Sequence, residues 1–204
     1  MHTSTRLELV TPASSQRLVS LAHARGMLEG LGISIGEALI DAASESIAQY
    51  CGRSFGRATW RETWSRAYGA PLLTLTHWVA PSLISVIEDG VTLTLATDVA
   101  LDDKTGILTR LDTGEEPTAW RANKVVVTYQ AGYVLPDHGP HDLRQACVRL
   151  VASWDARRQI DPTLRSESVD GVGSRSYLDP RSGGGALPDE VTALIDPYRV
   201  VRTA

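Results

Sequence analysis

The apolar pattern of this chain changes period twice, and that change restricts the fold more than any other feature of the sequence. Up to Cys51, and again from Leu143, apolar residues recur every three or four places, whereas across residues 56–133 they fall in short runs rich in Thr, Val, Leu and Trp. A period near 3.6 collects side chains on one face of a helix, and a period of 2 collects them on one face of a strand. Helices therefore flank a β-rich middle, and an α+β fold is predicted. With 43% apolar residues the chain can bury a core without staples.

The first clear helix is predicted over residues 35–51, where Ile35, Leu39, Ile40, Ala43, Ile47, Tyr50 and Cys51 share a face. Ser34 and Glu37 have capping-box spacing at its start, and Gly52 stops it. Upstream, Leu18, Leu21, Ala22, Met27 and Leu28 suggest a shorter helix that Gly30 and Gly32 break. The long helix is predicted over 140–160: Leu143, Ala146, Cys147, Leu150, Val151 and Trp154 line one side, and Pro140 suits the first turn, where no N–H is required. A last short helix is expected over 188–198, with Asp189 and Glu190 at its dipole-favoured start.

Between them, strands are predicted at 58–66, 72–77, 83–88, 91–95, 106–111 and 124–129. Asp89-Gly90 is a two-residue hairpin signal. Trp60 and Trp64 share one strand face with Glu62 and are expected to pack against the helices. The organisation expected is thus N-terminal helices (1–55), a β-rich insertion (56–133), the long helix (134–160), and an extended arm with a terminal helix (161–204). The core is predicted to be a helical bundle, with the β-rich segment inserted between its second and third helices. Residues 161–186, rich in Ser, Gly, Asp and Arg, read either as a loose linker or as an arm that orders against a neighbour.

Chemistry is hard to find. The densest set of potential metal ligands is Asp137, His138, His141 and Asp142, but Gly139 and Pro140 make it a turn into a helix, and no third His or Cys follows with metal-site spacing. Ser174 follows Gly171-Val172-Gly173 without the nucleophile-elbow pattern, and Gly183-Gly184-Gly185 lacks the Lys-Ser/Thr ending of a phosphate loop. Cys51 and Cys147 are too few for a disulfide framework and are expected to face inward. No catalytic residue, cofactor or metal is predicted. A formal charge of −4 argues against a dedicated nucleic-acid grip, and no apolar run approaches the about 20 residues needed to span a bilayer. A soluble protein without an export signal is expected. The residues expected to meet a partner are Arg165, Arg175, Tyr177 and Arg181 in the arm, with Tyr198 and Arg199 after it, because Arg and Tyr offer large contact area with directional hydrogen bonds.

Taken in order, several segments resemble the head-tail connector (adaptor) family of tailed phages, which includes the adaptors of phage-like gene transfer agents. They are Leu7 to Pro12 followed by Ser20 to Arg25, Leu39 to Ile47 with Tyr50-Cys51-Gly52-Arg53, Trp60 to Trp64, Val125 to Tyr133, Leu143 to Arg158, and the ending Pro197-Tyr198-Arg199. The V-T-Y-x-A-G-Y run before a helix and the terminal P-Y-R carry most of the likeness. His23 and Gly26 depart from the family's helix-favouring pattern. The resemblance implies a dodecameric ring in the virion neck, assembled in the host cytoplasm. Its partners would be the portal protein, neighbouring copies and the next neck component (stopper or tail terminator), with DNA passing through unread. Another neck or tail-completion protein of stopper type, or a small metal enzyme built on the Asp137–Asp142 turn, are the rival readings.

Overall fold

The structure, a computed structural model, describes residues 6–29, 33, 35–77, 79, 81–158, 166–169, 173–176 and 187–200. In chain order its elements are β1 (Arg6–Thr11), α1 (Leu21–Met27), α2 (Glu37–Cys51), β2 (Ala58–Ser65), β3 (Leu73–Thr74), β4 (Ser82–Glu88), β5 (Val91–Thr92), β6 (Val99–Asp102), β7 (Ile107–Leu111), β8 (Pro117–Thr118), β9 (Lys124–Ala131), α3 (His141–Arg158), β10 (Ser166–Val169), β11 (Gly173–Ser176) and α4 (Asp189–Ile195), closed by a 3-10 turn at Asp196–Tyr198. They form two compact units: a sheet unit (Met1–Gln16 with Ser54–His138) and a helical unit (Arg17–Arg53 with Gly139–Ala204). Among the described residues no helix is long and apolar enough to cross a membrane.

The sheet unit holds a five-stranded antiparallel sheet, ordered β1-β2-β9-β4-β5, and a four-stranded one in which β3, β7 and β6 follow one another and β8 joins β7. β2 and β9 pair without a break from Ala58↔Ala131 to Ser65↔Lys124. Along β9, Val125, Val127, Tyr129 and Ala131 are buried while Val126, Thr128 and Gln130 are half-buried, the alternation that a pleated strand imposes. Asp89 and Gly90 both take positive φ (46° and 90°) between β4 and β5, as the hairpin signal required. The Asp89 carboxylate then accepts the N–H groups of Asn123 (3.1 Å) and Lys124 (2.8 Å).

A core predicted to be a helical bundle is corrected here, because the protein is strand-rich and its sheets carry a core of their own. Trp64, Val86, Val125, Val127 and Tyr129 of the first sheet pack with Leu73, Val99 and Leu108 of the second, and Trp120, Ala67 and Ala70 fill the same cluster. Trp64 is therefore buried between strands rather than against helices, and Trp60 packs at the edge of the same cluster. The physical reason is that each sheet has one apolar face, and two such faces bury each other without helical help. Nor is the β region a simple insertion, since β1 from the N-terminal segment completes the sheet by pairing with β2.

One charged group sits inside this apolar core. Glu62, fully buried, lies on the inward face of β2, and its carboxylate accepts hydrogen bonds from the Tyr129 hydroxyl, the Thr76 N–H (2.8 Å) and the Thr76 hydroxyl (3.2 Å). The His77 N–H donates to the Tyr129 oxygen (3.2 Å), and the His77 ring stacks on Trp60 with centroids 3.9 Å apart. Several donors offset the desolvation of one carboxylate. Burial, reinforced by the neighbouring carboxylate, pushes the Tyr129 hydroxyl far above the ordinary phenol range, so it stays a donor. The group pins the loop after β3 onto β2 and β9.

At the end of β9 the A-G-Y sequence acquires its reason. Gly132 has φ +103°, and a Cβ there would lie 2.5 Å from the Gly56 carbonyl oxygen. The close approach lets the Tyr133 N–H donate to the Phe55 oxygen (2.7 Å) and the Arg57 N–H donate to the Tyr133 oxygen (2.8 Å).

In the helical unit, α2 buries Ile40, Ala43, Ile47 and Cys51, and α3 buries Leu143, Ala146, Cys147, Leu150 and Val151, the faces that their spacing foretold; Trp154 is half-buried. α3 packs with both α2 and α4. α1 is shorter than expected, capped by the Ser20 hydroxyl, which accepts the His23 N–H at 3.1 Å. Ser34 lies outside the described residues; α2 starts from Gly36, and Glu37 pairs with Arg17 (3.2 Å), whose guanidinium also grips Asp41 (2.6 and 2.8 Å). Arg17 holds the Asp41 carboxyl below its usual range.

Both thiols are fully buried in this unit, and burial pushes each up to about 11. In the unfolded chain they ionise from about 9, so the unfolded state releases protons first as pH rises. Their stabilising contribution is complete below pH 9 and falls between pH 9 and about 11, by about 1.4 kcal/mol per pH unit for each thiol at most. A thiol reagent at pH 8 is accordingly expected to label neither cysteine in the native protein and both in denaturant. Rapid native labelling would contradict the burial.

Candidate functional site

Two sequence signatures meet at the end of α2. The left-handed Gly52 (φ +67°) terminates the helix, and its cap N–H groups return to Ala48 and Gln49. This aims the last turn at the C-terminal segment. The Tyr50 hydroxyl donates to Asp196 (2.6 Å), the Arg199 guanidinium stands 5.3 Å from the centre of the Tyr50 ring, the Val200 N–H donates to the Cys51 oxygen (2.9 Å), and the Cys51 thiol points to the Ile195 carbonyl (3.7 Å). The hydrogen bond to Asp196 holds the Tyr50 hydroxyl above the usual phenol range. The Tyr-x-Gly-Arg exit of α2 and the terminal Pro-Tyr-Arg are thus two halves of one clasp.

The expected partner-facing residues divide. Tyr198 is half-buried in the 3-10 turn, and Arg199 is exposed with its charge over Tyr50. Arg175 lies on β11, which pairs with β10 from Ser166↔Ser176 to Val169↔Gly173 as a separate two-stranded sheet. Arg165, Tyr177 and Arg181 lie outside the described residues. His141 and Asp142 form the exposed first turn of α3, and among the described residues no group of three or more His, Cys, Asp or Glu is gathered to hold a metal.

A surface that the sequence reading missed is β1. It is six residues long, sits at the end of the five-stranded sheet, pairs among the described residues with β2 alone, and is exposed at every position. Leu7, Leu9 and Val10 are 41%, 49% and 42% exposed. The alternation Arg6-Leu7-Glu8-Leu9 ahead of Pro12 was the available signal.

The family model described as head completion protein matches residues 35–201, from α2 through the clasp. The chain belongs to the head completion protein family. The connector resemblance read from the sequence is borne out at that level. This head completion protein is also similar in fold to a chain in the neck of an empty gene transfer agent particle computed with C6 symmetry (TM-score 0.55, 23% identity) and to one in the neck of the native particle computed with C12 symmetry (TM-score 0.53, 22% identity). A third similar chain is from the virion of the native particle (TM-score 0.52, 22% identity). In each comparison 98% of either chain is covered. No curated protein sequence matches.

Proposed function

We propose that this head completion protein is an adaptor subunit of a particle neck, repeated as a ring between the portal and the next neck component and surrounding the channel through which DNA leaves. The observation that carries the reading is the family match over 35–201 joined to a full-length fold likeness with chains from particle necks computed with C6 and C12 symmetry. A chain repeated by rotation needs different front and back surfaces, so that each copy receives one neighbour and offers itself to the next. The exposed β1 edge and the clasped C-terminal segment are two such unlike surfaces. The role proposed is structural; both thiols are buried and pushed up to about 11, the opposite of an activated nucleophile.

Arg165, Arg175, Tyr177 and Arg181 on the arm, with Tyr198 and Arg199, are the residues through which it would meet the portal or the adjoining copy. Replacing residues 165–186 by a short Gly-Ser linker is expected to leave the protein folded by circular dichroism and to abolish its incorporation into particles. Normal incorporation would remove the arm from the interface. Electron microscopy of the native particle tests the larger reading: a ring of this chain directly below the portal is expected, and its absence from purified particles would overturn it.

A further inference from the structure

Two features of the fold are each incomplete, and their deficits match. Among the described residues β1 pairs on one edge only, with β2, and its other edge has no strand partner. Such an edge carries a row of backbone donors and acceptors that templates another strand, and proteins usually shorten or guard it. The opposite edge of the same sheet is guarded in that way, since β5 has two residues. β1 instead runs for six residues and exposes Leu7 and Leu9 on one face. The second incomplete feature is the β10–β11 hairpin, which among the described residues forms a sheet of two strands. A lone two-stranded hairpin is marginal in water, and a third strand is what gives it lasting order.

We infer that the β10–β11 hairpin of one copy adds to the free edge of β1 in a second copy, extending the five-stranded sheet across the contact between subunits. This rests on the ring reading above in taking a second copy as the occupant. Donor and acceptor lie on the same chain, so the contact is heterologous and each copy can give one hairpin and receive one. Main-chain hydrogen bonds supply affinity in such strand addition. Charge is compatible, since β1 carries Arg6 and Glu8 while the hairpin sequence carries Glu167 and Arg175. The length of chain is compatible too: residues 159–165 separate α3 from β10, and a stretch of that length spans up to about 25 Å when extended.

The test uses the full chain with Leu7→Cys and Ser168→Cys together, assembled into particles and treated with a short bismaleimide. Cys51 and Cys147 are buried and do not compete. The expected result is a ladder of covalent multimers of this chain that is absent when either substitution is made alone. A ladder of equal strength in a single variant, or a link to a different protein, would overturn the inference. So would the absence of any link in particles that contain the chain, and that outcome leaves the neck assignment standing. If the double variant is missing from particles that hold the parent chain, the purified double variant at high concentration decides: multimers support hairpin addition and monomers overturn it, and the neck assignment fails only if the parent chain is missing as well.

Discussion

Gly132→Ala is expected to destabilise the sheet unit by about 3 kcal/mol, read as a lowered denaturant midpoint in tryptophan fluorescence. Two costs combine. The residue holds φ +103°, where a side chain is strained, and its Cβ would meet the Gly56 carbonyl carbon at 2.7 Å as well as the oxygen at 2.5 Å. The obstacle is backbone and cannot swing away; relief would have to stretch the short hydrogen bonds from Tyr133 to Phe55 and from Arg57 to Tyr133. Gly26→Ala provides the contrast, because a Cβ there meets nothing within 4 Å and the residue lies inside α1. That substitution is expected to be neutral or to stabilise by up to about 1 kcal/mol. A Gly132→Ala protein as stable as the parent would show that the approach of the two glycines is not needed.

Glu62→Ala is expected to cost about 3 kcal/mol as well, for a different reason. It leaves the buried Tyr129 hydroxyl without its acceptor, releases the two Thr76 donors at the exposed rim, and opens a cavity beneath the loop after β3. Tyr129→Phe removes one donor and leaves the carboxylate with Thr76, so about 2 kcal/mol is expected. Because the two groups share a hydrogen bond, the double variant should lose less than the two single losses combined. Additive losses in urea unfolding would mean that the pair does not act as a unit.

Much of the helical unit was legible in the sequence. Ile40, Ala43 and Ile47 on α2, and Leu143, Ala146, Cys147, Leu150 and Val151 on α3, repeat at helical spacing, and local geometry alone then decides that they share a face. The Asp89-Gly90 turn was legible for the same reason, since positive φ is a property of two adjacent residues. The candidate site was legible only in pieces. Tyr50-Cys51-Gly52-Arg53 and Pro197-Tyr198-Arg199 stood out as separate motifs, but their union depends on a hydrogen bond between residues 146 places apart.

β1 escaped notice because six residues with an alternating pattern weigh little until a partner strand is known. The expected bundle core failed on the same ground. Helical periodicity is conspicuous in one dimension, while the meeting of Trp64 and Val127 with Leu73 and Leu108 comes from pairing strands far apart in the chain.

By itself, then, the sequence determined where the backbone is helical, where it is extended, which thiols face inward and which family signatures the chain bears, because these follow from spacing along a single segment. Only the tertiary structure decided that the sheets own a core, that a buried carboxylate fastens them, that two distant motifs form one clasp and that β1 stands at the end of its sheet. Each of those rests on contacts between distant segments, and a contact of that kind exists only once the intervening chain has folded.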